Sequence, residues 1–262
     1  MAGDRPVVAI GAEMALHRRV LDLYRRIWLT YRAWCPGILV LALVIFLPLG
    51  LLDAFTANVD VDALDLTSGI KIVALMLAVG VITATGLLGE IFFSGAIAIS
   101  LTHPHGEGAP PLREIARRIK YGRLVVVDVG FVLIVAAGQL FGVVPGVLAF
   151  VFLSLAGPLV EMEEQSAFGA LRRSAHLVRG SFWFVFFVIV PIEIAGDAIG
   201  NGVATLVHGA LGHSFLGEWL AESLSNVVLS PVFAVAAVLL TVELIAAKES
   251  ESPPLHVVPV PA

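Results

Sequence analysis

The stretch AWCPGILVLALVIFLPLGLL, residues 33–52, contains no Asp, Glu, Lys or Arg. A bilayer's hydrocarbon core is about 30 Å thick and takes about 20 apolar helical residues to cross. Charge-free stretches recur at 72–89, 129–160 and 226–242. Hydrophobic residues make up 58% of the chain and charged ones 14%, against roughly 25% charged residues in a soluble domain. That is too little charge to cover a globular surface, so lipid must be part of the solvent. The sequence predicts an all-α, polytopic integral membrane bundle.

Six crossings are expected, over 34–52, 70–101, 124–141, 144–161, 182–208 and 224–247. The second is long, roughly 45 Å at 1.5 Å per residue, so it must tilt, emerge or kink near Gly86 or Gly89. Gly142, Pro145 and Gly146 suit a tight turn between the third and fourth. The organisation is then a cytoplasmic amphipathic segment at 1–33, a six-helix membrane domain at 34–247 and a disordered, proline-bearing tail at 248–262. All but Lys71 of the 16 Lys and Arg residues fall on one side of these crossings. Basic loops stay cytoplasmic, which places both termini on the cytoplasmic side of the cell membrane. Residues 1–32 mix charged and apolar groups without a cleavage-site pattern, so the first crossing reads as an uncleaved anchor. Cys35 is the single cysteine. No internal disulfide or paired-thiol metal site is expected.

Each basic segment carries amphipathic helical periodicity. In the first, Val20, Leu21, Tyr24, Trp28 and Tyr31 oppose Arg18, Asp22, Arg25, Arg26 and Arg32, and Asp22 can pair with Arg26 one turn on. In the second, Leu112, Ile115, Ala116 and Ile119 oppose Arg113, Arg117, Arg118 and Lys120, with Arg123 following. In the third, Phe168, Leu171, Ala175 and Val178 oppose Arg172, Arg173, His176 and Arg179. Such helices lie in the membrane interface with their cations toward anionic head groups. The three segments look alike, which suggests three units of an interfacial helix plus a hairpin. The competing reading is that any inward-starting hairpin acquires arginines and an interfacial aromatic.

Residues 158–183, PLVEMEEQSAFGALRRSAHLVRGSFW, resemble the bacterial membrane-domain family named for its occurrence beside glycerophosphoryl diester phosphodiesterases. The matching positions are Pro158, Glu161, Ala170, Leu171, Ser174, Leu177, Gly180 and Trp183. The opening LYRRIW at 23–28 is similar to the way such proteins begin. The resemblance implies an integral membrane module with lipid-facing, accessory or transport-related work. It brings no catalytic barrel, for which this chain has no segment.

Among polar residues on crossings, Glu193, Asp197 and Asn201 recur every four positions and share one helix face. An intramembrane carboxylate costs several kcal/mol and faces a partner or water. The stripe can therefore be a proton or cation relay, a register-fixing contact between helices, or a face left in water. Glu90 suits an ion pair with an arginine of a cytoplasmic segment, or a helix already at the interface. Asp128 suits a local pair with Arg123, and Glu243 an interfacial position. Glu163 and Glu164 would need an arginine at position 168 to resemble a Glu-Glu-x-x-x-Arg intramembrane protease. That position is Phe168, so charge complementarity with the following arginines is the better reading. His103 and His105 in a Gly/Pro loop fall short of the three or four converging ligands of a metal site.

No phosphate loop, nucleophile motif or nucleic-acid module is visible, and no cofactor is expected. The reading that follows is a non-catalytic membrane module acting as an accessory, assembly or lipid-interacting protein. Its expected partners are anionic lipids and a membrane protein or a second copy of the chain. A small transporter built on Glu193 and Asp197 is the alternative. A head-group enzyme using Glu161 and His176 is the third.

Overall fold

The computed structural model describes residues 5–57, 89–102, 112–212 and 214–251. Every regular element among them is an α-helix: α1 Arg5–Ala57, α2 Glu90–Thr102, α3 Leu112–Arg118, α4 Tyr121–Leu140, α5 Val143–Leu153, α6 Ala156–Met162, α7 Ala167–Arg179, α8 Phe182–Leu211 and α9 Phe215–Glu251. Five segments are long and apolar enough to cross a membrane: Met14–Leu51, Tyr121–Leu140, Val143–Met162, Phe182–Leu211 and Phe215–Ser250. They match five of the six expected crossings. The protein is an all-α, multi-pass membrane bundle. The remaining one, the second at 70–101, is described only from Gly89 onward. Lys71, Gly86, the His103–His105 loop and the tail beyond Glu251 lie outside the described residues.

The 53-residue α1 runs through both Pro36 and Pro48. At 1.5 Å per residue it is roughly 80 Å long, well beyond a bilayer with its head groups. The first basic segment is thus a continuation of the first crossing, with no break at residue 33. Its buried face is Val20, Leu23 and Ile27, while Leu21 and Trp28 are exposed. Val20 is thus shared between the apolar stripe read from the sequence and the face that packs on protein. In α7 the packed face likewise overlaps that stripe only in part. Ala170, Leu171, Ser174, Leu177 and Val178 are buried, whereas Phe168 is 82% exposed. Ser166 caps this helix by accepting the Gly169 N–H at 3.2 Å, as N-cap serines do.

Helix α9 is the element on which most others lean, packing on α1, α8 and α2. Small residues let the backbones approach. Gly50 of α1 lies against Ser223, and Gly200 of α8 lies against Leu229 and Ser225. Trp219 donates its indole N–H to the Leu47 carbonyl at 2.8 Å. Phe46 and Phe93 meet edge-on at 5.5 Å. Phe131, Phe150 and Phe233 form a chain of rings through the centre, each step 5.8 Å.

The fourth crossing is broken into α5 and α6 at Ser154 and Leu155. Ser174 of α7 fills the break. Its hydroxyl donates to the Phe152 carbonyl at 2.7 Å and accepts the Leu155 N–H at 3.3 Å. A side chain inserted into the helical ladder is a recognised cause of such breaks.

Candidate functional site

The arginines predicted to meet lipid divide into two groups. Three tie separate elements together, and a fourth, Arg118, pairs within its own helix. Arg26 Nη1 is 3.4 Å from Glu243 on α9, whose other oxygen takes Arg19 Nε at 2.7 Å. The Arg19 guanidinium also sits 4.1 Å over the Phe184 ring. Arg118 pairs with Glu114 one turn back at 2.7 Å. Arg123 donates to the Glu164 carbonyl at 3.1 Å. Arg173 grips Glu163 with two N–H groups at 2.8 and 2.9 Å, and that bond raises its pKa above the usual guanidinium value. The acidic turn after α6 therefore complements the basic segments as its charges suggested. Arg25, Arg32, Arg117, Arg172 and Arg179 are exposed, as are Arg26, Arg118 and Arg123.

Beside α1 runs an apolar groove closed on its far side by α8. Tyr24 bridges it, donating its hydroxyl to the carbonyls of Phe187 at 2.9 Å and Val188 at 3.1 Å. A cavity of about 780 Å³ lies on one side, bounded by Leu16, Val20, Leu21 and Trp183. Another of about 340 Å³ lies on the other, bounded by Ile27, Trp28, Tyr31 and Ile199 and floored by Leu229 and Val232 of α9. Tyr24 and Pro191 border both.

The third feature is polar and sits inside the crossings. Glu90, only 6% exposed, begins α2 and receives a hydrogen bond from the Ser230 hydroxyl of α9 through one carboxylate oxygen. Its other oxygen has no hydrogen-bond partner among the described residues. Among the described residues no arginine pairs with Glu90, and the Ser230 hydroxyl stands where an ion pair was expected.

Asp128 also differs from expectation. It is 4% exposed and accepts the backbone N–H groups of Gly89 at 2.7 Å and Ile91 at 3.2 Å. It caps the start of α2 from a neighbouring helix and makes no pair with Arg123. Gly89 turns the chain there with φ of +96°, a conformation in which glycine has no side chain to clash.

Along α8, Glu193 is half-buried, while Asp197 and Asn201 are exposed. The stripe exists, with Glu193 as its less exposed end.

Comparison with protein-family models, curated proteins and solved structures finds no match to this chain. The site must therefore be read from its own chemistry.

Within the family-like stretch, Pro158 and Ser174 are buried. Glu161 accepts the Lys120 backbone N–H at 2.9 Å, Gly180 ends α7 and Trp183 is 60% exposed. Ser174 and Glu161 each tie two helical elements together. Among the described residues no three His, Cys, Asp or Glu side chains converge to hold a metal ion. Sequence reasoning missed Ser230, and it missed the capping roles of Asp128 and Ser174. A serine on an apolar helix is a weak signal, but an Asp one helical segment away from a Gly-Glu pair could have suggested a cap.

Proposed function

We propose that the chain is a non-catalytic module of the cell membrane that binds anionic lipid, with both termini on the cytoplasmic side. One observation carries this reading: exposed arginines on or just before the two helices, α1 and α8, that frame an apolar, aromatic-edged groove. Arg25 and Arg32 lie on α1 itself, and Arg179 lies three residues before α8 begins. An exposed guanidinium suits a phosphate through paired N–H donors. The groove offers acyl chains a surface lined by Val20, Ile27, Trp28 and Trp183. Trp and Tyr favour such depths because one end of each ring system is apolar and the other polar. The resemblance of residues 158–183 to the membrane domain found beside glycerophosphoryl diester phosphodiesterases supports a lipid-facing or accessory role.

Gentle extraction of the full chain from its native membrane, followed by intact-complex mass spectrometry, tests the reading. The expected result is retained anionic phospholipid, weakened when Arg25, Arg32 and Arg179 are together replaced by Gln. Equal retention of zwitterionic lipid by both forms would refute it. A stoichiometric protein partner without lipid would make the chain an accessory subunit.

A further inference from the structure

We propose that a polar pocket between α1 and α9 binds a phosphate group through Arg18, Arg19 and Arg26. The pocket has a volume of about 600 Å³, and these three arginines line it together with Asp22 and Glu243. It opens away from the α1–α8 groove. Positions 15, 18, 19, 22 and 26 share one face of α1, while positions 17, 20, 21 and 24, which border the groove, share the opposite one. Glu243 orders the pocket. One of its oxygens takes Arg19 Nε at 2.7 Å, and the other stands 3.4 Å from Arg26 Nη1. Arg19 is fixed a second time by the Phe184 ring, whose centre lies 4.1 Å from its guanidinium carbon. Arg18 and Arg26 are exposed, and a guanidinium carries five N–H donors, so the one long contact of Arg26 with Glu243 engages few of them.

Three guanidinium groups against two carboxylates leave the pocket with a net positive charge. An anion with several acceptor oxygens suits it, and arginine meets phosphate through paired N–H donors. Arg18 and Arg26 are about 12 Å apart along the axis, which leaves room for the group that bears the phosphate. Depth points to the source. Glu243 directly follows the charge-free run 226–242, and Phe184 belongs to the first turn of α8. The pocket thus lies where the apolar parts of both crossings end, which is the level of lipid head groups. A free phosphate would present the same chemistry from the aqueous side. Asp22 works against either ligand. It stands four residues from Arg18 and four from Arg26 on the same face, so its carboxylate repels an anion held between them.

The test is phosphorus NMR of the full chain in neutral-detergent micelles, titrated with dihexanoyl phosphatidate or with inorganic phosphate. Saturable broadening of the phosphatidate signal is expected. Arg18→Gln combined with Arg26→Gln should weaken that binding about tenfold or more, as loss of charge-assisted hydrogen bonds does. Asp22→Asn should tighten it about twofold or more, because a like charge leaves the pocket. The charge-matched pair Arg113→Gln and Arg172→Gln, on α3 and α7, should change it by less than about twofold, since distant exposed charges are screened. Saturation by phosphatidate alone supports the site as one for a lipid head group, and saturation by inorganic phosphate as well supports it as one for free phosphate. Absence of saturable binding by both probes overturns the proposal. So does a double variant that binds like the wild type, or an equal loss in the charge-matched pair. Should the double variant fail to fold, Asp22→Asn decides, and binding that it does not tighten overturns the proposal. Any of these failures leaves the α1–α8 groove untouched, because that reading turns on Arg25, Arg32 and Arg179.

Discussion

At Asp128, one carboxylate closes two backbone N–H groups at the start of α2. Replacing it with Ala leaves both donors buried, and an orphaned buried donor costs about 1–3 kcal/mol. Asp128→Ala should therefore destabilise the protein by several kcal/mol, and Asp128→Asn by distinctly less because its amide oxygen still accepts. Denaturant titration in mixed micelles measures both. At Gly89 the arguments are conformational and steric. A side chain at φ of +96° is strained, and its Cβ would crowd Leu49 and Phe46. Gly89→Ala should cost on the order of 1–3 kcal/mol in the same titration. The charge of Asp128 was legible in the sequence, but its partners were not. They lie 37 and 39 residues away in the chain, and helix periodicity reports only neighbours on the same helix.

Among the elements, the α5–α6 break makes a comparison possible between two buried serines. Ser174 joins two backbone groups on a different element, whereas Ser154 only bonds back to Val151 within its own turn. Ser174→Ala should lose about 1–3 kcal/mol and Ser154→Ala less than half of that, read as shifts in thermal unfolding of the purified protein. Helix existence was legible throughout, since charge-free runs and basic clusters mark five of the crossings. The orientation of each helix was less so. The stripe method looks for an apolar face against a polar one, and in a membrane the lipid-facing side is apolar as well. Leu21, Trp28 and Phe168 belong to the apolar faces read from the sequence, yet they are exposed on the protein and not packed in its core. The buried faces were instead marked by small residues and hydroxyls such as Ala170 and Ser174. The stripe on α8 was legible, but the contact of Glu90 with Ser230 was not, because the two lie 140 residues apart on different helices.

For the molecule as a whole, α1 and α9 are clipped together near both ends, by Glu243 to Arg19 and Arg26 and by Trp219 to the Leu47 carbonyl. The first clip is half-exposed and of modest strength. Glu243→Gln should leave thermal stability nearly unchanged but speed trypsin cleavage among Arg18, Arg19, Arg25 and Arg26, followed by mass spectrometry of the fragments. Trp219→Phe should instead lower global stability by about 1 kcal/mol with little change in that cleavage. The dependence of so many helices on α9 also bears on how the bundle is made. Translation proceeds at about 5–20 residues per second, so α9 emerges on the order of ten seconds or more after α1. During that interval α1 has no α9 surface to pack on, and Gly50 faces no Ser223. Assembly thus includes a docking step that α1 must await in lipid or in the care of the insertion machinery. A ribosome stalled before residue 215 should hold an inserted but unassembled chain.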